Sequence, residues 1–414
     1  MRILALSNLY PPHHIGGYAL LCQHVLDMLI ERGHKVTVLT STHGVEQEVI
    51  EGHVYRALSL ESDLHYYQPK QAWLYPFINQ KNKQYLQNLV QQIQPDIIFV
   101  WGMWALSNQL ALEAEKLLPG RVVYYLANPW PIEPSLHQAY WDDAAQNSVK
   151  QVLKQIVRIP IRFWLKDEWR DLPIQFQYAP VCSKAQRDQL LEAGVPLQDA
   201  PVIYEGIDLG PDLAQADQRN GFGSGDILPL VFVGALVHHK GVHTTIEALS
   251  HLSSESLKRV SLTILGAGHP DYEERLRRLV DQYGLSDTVT FLKPIPRDQL
   301  PEFLGRFEVL LLPSIWEEPL ALIMQEGLAN GLVVIGSATG GTKEIIVHGE
   351  NGLLFPAADA QRLSKHIETL LREPALGNKL SKNGRQTAEK MFSLPRMVDE
   401  LEAYLAKVKT AAET

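Results

Sequence analysis

The stretch from Pro313 to Pro356 constrains the fold of this chain more than any other. An apolar run, Val309 to Leu312, reads as a buried strand, and a polar loop, Pro313 to Pro319, follows it. Leu320, Ile323, Met324 and Leu328 then recur at the spacing of one helix face. Pro319 suits the first turn of that helix and Gly331 suits its stop. Leu332 to Ile335 reads as a second buried strand, and Gly340-Gly341 as a second tight loop. The order is strand, loop, helix, strand, loop: a βαβ unit whose loops lie at the carboxyl ends of the strands. Open α/β sheets bind ligands along that edge.

Two carboxylates mark the unit. Glu318 sits in the loop before the helix, and Glu326 lies inside the helix, to the side of its apolar stripe. Free backbone N–H groups at the helix start favour a phosphate. A ligand held there by its anionic part, with carboxylates accepting bonds from its hydroxyls, fits the description of a nucleotide-sugar. The same two residues also fit a plainer role, one favouring the helix dipole and the other solvated on a helix flank.

A chain of 414 residues leads us to expect two domains of about 200 residues each. A net charge of −9 argues against general nucleic-acid binding. Cys22 and Cys182 lie far apart and lack metal-ligand spacing, which favours a reducing compartment. Met1 to Ser7 reads as a first strand rather than a signal peptide, and the longest apolar run, Ile97 to Leu106, is too short to span a bilayer. A cytoplasmic location is therefore expected.

In the first half, strands are expected at Ile3–Leu6, Val36–Thr40, Asp96–Val100, Val122–Leu126 and Tyr178–Val181, with helices between them. The loop after the first strand carries His13, His14, Gly16 and Gly17. Paired glycines allow close backbone approach to a phosphate or an acceptor, and equally fit a tight turn with no ligand. Asn128 and Trp130 follow the Val122 strand, again at the ligand edge; a Pro-rich loop around a packed Trp is the alternative. Lys150, Lys154, Arg158, Arg162 and Lys166 recur among apolar and aromatic residues. Such a stretch either lies on an anionic membrane surface or presents a solvated basic face over a buried apolar one. Pro160 is expected to break or kink any helix there.

A helix from Ser183 to about Gly194 and a strand at Val202–Tyr204 follow. Between Leu209 and Ile227 almost no apolar residue occurs, so this segment reads as an interdomain linker. A second sheet begins at Leu230–Val233 and continues at Leu262–Leu265 and Val289–Leu292. Helices are expected at Val242–Leu252, up to about Tyr283, and at Asp298–Phe307. Lys240 falls at a strand-end loop, where a cation offsets the charge of a departing diphosphate; an exposed turn lysine is the alternative. Two helices follow Pro356. The expected domains are 1–208 and 209–393, with a final helix in 394–414 crossing back onto the first.

The run PS-x-W-E-E-P, then Glu326, then GG-x-x-E-I-I and ENGLLF, strongly resembles the E-x7-E region of retaining glycosyltransferase family 4. VIYEGID, FVGALVHHKG, LTILGAGH, VTFLKPIP and VLLLPS are similar to that family's hinge, phosphate loop and strand endings. The resemblance implies the α/β GT-B fold, two Rossmann-like domains facing across a central cleft. It implies transfer of a sugar, with retained configuration, from a nucleotide-diphosphate sugar to a hydroxyl of a glycan, lipid or small metabolite. The donor, most often a UDP- or GDP-sugar, is a co-substrate, and no cofactor is expected.

By matching position, Lys240 binds the diphosphate and Glu318 the sugar hydroxyls, and these two are the expected catalytic residues. Gly234, Gly266, Lys293, Leu320, Ala321, Leu322, Ile323 and Glu326 form the rest of the donor site, with Leu292 to Ile295 beside the base and Glu326 on the ribose. Gly16, Gly17, Asn128 and Trp130 form the acceptor and phosphate side. No Asp-x-Asp motif occurs in either ligand loop, so metal independence is expected.

Three positions depart from the family pattern. Ala235 stands where an Arg is usual, Ala321 where a glycine is usual, and Ala127 where a His is usual. His238 and His239 are candidates to replace the missing cation. Two other readings fit the same fold: a nucleotide-sugar epimerase, and a non-catalytic protein that binds carbohydrate or nucleotide-sugar. A phosphorylase would need a pyridoxal phosphate lysine, for which the sequence offers no convincing candidate.

Overall fold

The structure, a computed structural model, describes residues 1–64, 67–143, 148–169, 172–209 and 222–413. Most of the expected linker, 210–221, lies outside the described residues. The first part of the chain forms β1 (Arg2–Ser7), α1 (Tyr18–Glu31), β2 (Lys35–Ser41), β3 (Val49–Glu51), β4 (Val54–Leu58), α2 (Gln71–Ile93), β5 (Ile97–Gly102), α3 (Asn108–Leu117), β6 (Val122–Tyr124), α4 (Leu136–Asp142), α5 (Ser148–Trp164) and α6 (Lys184–Glu192). There follow β7 (Leu228–Val233), α7 (Val242–Ser250), α8 (Ser254–Leu257), β8 (Val260–Leu265), α9 (Pro270–Gln282), β9 (Val289–Leu292), α10 (Leu300–Leu304), β10 (Val309–Leu312), α11 (Leu322–Ala329) and β11 (Val333–Ser337). The chain ends with α12 (Thr342–Ile345), β12 (Leu353–Phe355), α13 (Ala360–Arg372), α14 (Pro374–Met391) and α15 (Leu394–Ala411).

The residues divide into two compact units. Unit 1 holds Met1–Cys182, Arg187–Ile203 and Val398–Thr414; unit 2 holds Ser183–Gln186 and Tyr204–Met397.

Unit 1 is built on a sheet of order β3-β4-β2-β1-β5-β6, parallel except for the antiparallel β3–β4 pair. Its central strands β1 and β5 are buried on both faces because helices cover both, as βαβ crossovers require. Ile97 to Gly102 are buried throughout. Val181 makes only single bridges, to Leu126 and Val202. The strands expected at Tyr178–Val181 and Val202–Tyr204 are therefore not strands, being too short of neighbours to continue a ladder. Part of the C-terminal helix packs within this unit: Arg32 pairs with Asp399 and Glu402 at 2.6 Å each, and His34 contacts Glu402 at 2.8 Å. Pro160 lies inside α5, which runs through it instead of ending there.

Unit 2 is built on a wholly parallel sheet of order β12-β11-β10-β7-β8-β9. In chain order the strands run outward from β7 to β9, then jump back to β10 on the other side of β7. This is the doubly wound arrangement, and its strand order reverses between β7 and β10. Leu230, Ile264, Leu311, Val333 and Ile335 form the sheet's share of the core, closed by Ile246 and Leu249 of α7 and Leu363 and Ile367 of α13.

Candidate functional site

The reversal between β7 and β10 opens a crevice at the carboxyl ends of those strands, the place where a doubly wound sheet takes its ligand. The loops after these two strands deliver the two residues that sequence reasoning put at the centre. Lys240 ends a short 3-10 turn, His238–Lys240, between β7 and α7. Glu318 lies between β10 and α11. The Lys240 ammonium donates to Glu318 Oε1, and the Ser314 hydroxyl donates to Glu318 Oε2 at 2.8 Å.

Close backbone packing fixes the loops. A Cβ on Gly241 would stand 1.9 Å from the Pro313 carbonyl oxygen, and Ile315 N–H donates to the His239 carbonyl at 2.8 Å. A Cβ on Gly340 would stand 1.9 Å from the Glu318 carbonyl oxygen, which accepts from Gly341 N–H at 2.8 Å. Gly340 has φ +45° as well, so only glycine meets both demands there. The Glu317 carboxylate accepts from Gly340 N–H at 2.6 Å and from Lys343 at 2.9 Å. Burial would raise its pKa, but these two donors outweigh burial and hold it below the usual range.

The helix expected to start near Pro319 begins instead at Leu322. Pro319 stays in the loop, where its carbonyl accepts from the buried Ser183 hydroxyl at 2.7 Å. Ala321 precedes the helix without a side-chain cap, so the first N–H groups of α11 carry the unneutralised end of the helix dipole. Leu320 and Ala321 are buried; Leu322 and Ile323 are half-buried.

Glu326 lies one turn further into α11, with its side chain 15% exposed. One oxygen accepts from Arg297, and the other is a buried acceptor with no partner. Burial pushes the carboxyl up to about 7, against the lowering charge of Arg297. Arg297 carries no motif signal, and only the tertiary structure brings it to Glu326.

Glu205 is a second residue that sequence reasoning did not single out. It is 3% exposed, and burial, helped by the charge of Glu318, raises its carboxyl to about 8. At neutral pH it keeps its proton beside the ionic pair. Of the two histidine candidates near Ala235, His239 is shifted away from the charged form. Burial, followed by the charge of Lys240, lowers the His239 pKa below its ordinary 6.5, leaving it neutral at pH 7. The His238 ring stacks on His243, with ring centres 4.8 Å apart.

The remaining expected donor residues are spread along the same edge. A Cβ on Gly266 would stand 1.9 Å from the Gly234 carbonyl oxygen, so this pair lets two loops touch. Lys293 is exposed, as is Leu292 at 39%. Unit 1 holds the others. Gly16 has φ +72° with open space around its Cβ direction, and Gly17 caps α1. Asn128 Oδ1 is a buried acceptor without a partner. Trp130 is 3% exposed and packs against Tyr124 and Phe176, as in the alternative of a loop around a packed Trp. Its indole borders a cavity of about 740 Å³ whose other walls include Glu61, Trp104, Glu133 and Glu168.

Two family models match the chain: "Glycosyltransferase Family 4" over residues 15–210 and "Glycosyl transferases group 1" over residues 217–387. A glycogen synthase of Mycobacterium tuberculosis is 26% identical over 406 residues, which cover 93% of this chain and 90% of that protein. Among solved structures, sucrose-phosphate synthase of Thermosynechococcus elongatus superposes with a TM-score of 0.72 at 21% identity, covering 99% of each chain. Anabaena Alr3699/HepE, solved with UDP-glucose, superposes with a TM-score of 0.66 at 18% identity, covering 98% of this chain and all of that one. The fold of the chain is that of the GT-B glycosyltransferases.

Proposed function

We propose, because this chain belongs to the glycosyltransferases of family 4 and group 1, that it moves a sugar with retained configuration from a nucleotide-diphosphate sugar to an acceptor hydroxyl. The observation that carries the reading is the meeting of Lys240 and Glu318 at the strand-order reversal, beside a helix, α11, whose second turn carries a buried carboxylate oxygen with no partner. The diphosphate lies against the start of α11, with Lys240 offsetting its charge. Glu326 accepts bonds from the ribose hydroxyls through its unpartnered oxygen. Glu318 holds both the sugar hydroxyls and the ammonium.

In the reaction the bond between the anomeric carbon and the phosphate oxygen breaks. The acceptor oxygen forms its bond on the same face, and the acceptor proton passes to the leaving phosphate. The chain supplies orientation and charge stabilisation, not a covalent intermediate. Lys240 and the dipole of α11 provide the positive charge, and we propose that no metal is needed. The donor is a UDP- or GDP-sugar, and the acceptor a glycan, a lipid or a small metabolite.

The test is a panel of UDP-, GDP- and ADP-sugars, read by thermal stabilisation and slow hydrolysis with and without EDTA. A ligand at 100 times its Kd stabilises by about 2.7 kcal/mol. The expected result is one responding donor, insensitive to EDTA and lost in Glu326→Ala. Stabilisation by no nucleotide at all would move the reading to a carbohydrate-binding protein. Conversion of the donor to an isomer with no acceptor present would move it to an epimerase.

A further inference from the structure

The transfer chemistry leaves one large surface feature unused. In unit 1, α2 and α5 present large apolar side chains to solvent on neighbouring turns. Phe163 is 81% exposed, Ile159 74%, Phe77 67%, Leu74 56%, Trp73 47% and Trp164 44%. They are not scattered singly. The Trp164 indole N–H donates to the Trp73 carbonyl at 3.3 Å, and the Trp164 ring lies 6.3 Å from that of Trp73 and 6.5 Å from that of Phe77.

Folding does not account for this face. The same two helices, with Leu165 just after α5, bury a separate set, Ala72, Tyr75, Ile161 and Leu165, in a small core with Trp141. An ordinary surface helix is polar opposite its buried stripe. Here α5 is apolar on both sides, and a contiguous exposed apolar patch marks a surface that something covers.

The charge around the patch says what covers it. No Asp or Glu occurs from residue 64 to 95 or from 144 to 166, although the chain as a whole carries a net charge of −9. Those two stretches contain Lys70, Lys81, Lys83, Lys150, Lys154, Arg158, Arg162 and Lys166. Lys70, Arg162 and Lys166 are exposed beside the patch residues in sequence. A two-fold contact between copies would set these cations against themselves, which disfavours a homodimer on this face. Of these cations Arg158 is paired with Asp142 and Lys81 with Glu48. Apolar side chains rich in Trp and Phe, with exposed cations beside them in sequence, match the boundary of an anionic bilayer. No described helix is long and apolar enough to cross a membrane, so the contact is one of lying on the surface.

We propose that the face formed by the start of α2 and by α5 docks unit 1 on an anionic lipid surface. Trp73, Phe77, Phe163 and Trp164 enter the headgroup boundary, and the basic residues contact lipid phosphates.

The experiment is flotation of the full chain with vesicles of phosphatidylcholine alone and of phosphatidylcholine with phosphatidylglycerol, at low and high salt. The chain is expected to float with the anionic vesicles only and to be released by salt. Removing one inserted Phe in Phe77→Gln or Phe163→Gln should lower the partition coefficient about tenfold. The double variant Arg162→Glu, Lys166→Glu should abolish binding at every salt concentration. Thermal melting of each variant near the wild-type temperature shows that the fold persists. Failure to float with anionic vesicles at low salt overturns the proposal, as does flotation unchanged in all these variants. A concentration-dependent dimer dissolved by Phe163→Gln, without vesicle binding, would reassign the face to a protein contact.

Discussion

The ammonium of Lys240, which follows β7, donates to the carboxylate of Glu318, which follows β10. The two strands are neighbours in the sheet but far apart in sequence, and the reversal of strand order between them places this ion pair at the ligand edge. A cation held there is preorganised for charge that develops on a leaving diphosphate, and such groups act more on the transition state than on binding. Lys240→Ala is therefore expected to lower kcat about 100- to 1,000-fold, with less than about a tenfold change in donor Kd. Steady-state transfer rates and nucleotide-sugar titrations decide it. A variant with wild-type kcat sinks the role.

The sequence carries most of this arrangement. The apolar run at Val309–Leu312 marks β10 to the residue, because buried parallel strands are continuous apolar runs with polar loops at each end. Val289–Leu292 marks β9 to the residue as well, although that edge strand holds Thr290 and exposes two of its residues. β3, β4 and β12 escaped notice. β3 and β12 have three residues each, and β3 is half exposed at the sheet edge, so no periodicity announces them; in β4 Arg56 interrupts the apolar run. Lys240, Glu318 and Glu326 are legible because their loops and helix are legible. Glu205 and Arg297 are not, since their significance comes from residues distant in sequence. Glu205 is buried in a segment where Gly206 packs so closely on Leu394 that a Cβ would lie 2.7 Å from its Cα. No local pattern encodes that approach.

Glu326 gives a pH dependence. Burial raises its carboxyl to about 7 and Arg297 opposes the rise, so the group ionises across the neutral range. Accepting bonds from ribose hydroxyls favours the ionised form. Donor affinity is expected to increase as pH rises through about 7 and then to level off. The nucleotide phosphate also titrates, so the comparison is with Glu326→Gln, in which only that second effect remains. The wild-type advantage over this variant should grow with pH, and Arg297→Ala should move its midpoint upward. Calorimetric titration with UDP or GDP at about pH 6 and about pH 8 reads both. An advantage independent of pH contradicts the assignment.

Glu205 gives a pH dependence of stability with a defined sign. Its carboxyl pKa is 4.5 in the unfolded chain and about 8 in the native one. Between these values the native state holds a proton that the unfolded chain has lost, so stability falls as pH rises. Its contribution is whole below 4.5 and gone above about 8. Glu205→Gln replaces the protonated group by a neutral one of the same shape. The variant is expected to be the more stable form at about pH 9 and close to the wild type at about pH 5, by urea denaturation. Parallel curves at both pH values would falsify this.

Gly340 tests whether the donor loop depends on the glycine pair. Its positive φ costs any other residue about 1 kcal/mol, and a methyl there would also lie 1.9 Å from the Glu318 carbonyl oxygen. The loop must shift to relieve that contact, and Glu318 shifts with it. Gly340→Ala is thus expected to lose transfer activity about tenfold or more, while Tm falls by only a few degrees. Replacing Gly349 is the control. It too has positive φ, +77°, but open space lies where its Cβ would stand, so Gly349→Ala carries the conformational cost without the collision. If both variants lose the same Tm and only Gly340→Ala loses activity, the close approach of the two loops, and not backbone strain, positions Glu318. Equal loss of activity in both would show that strain anywhere in the β11–β12 connection is enough.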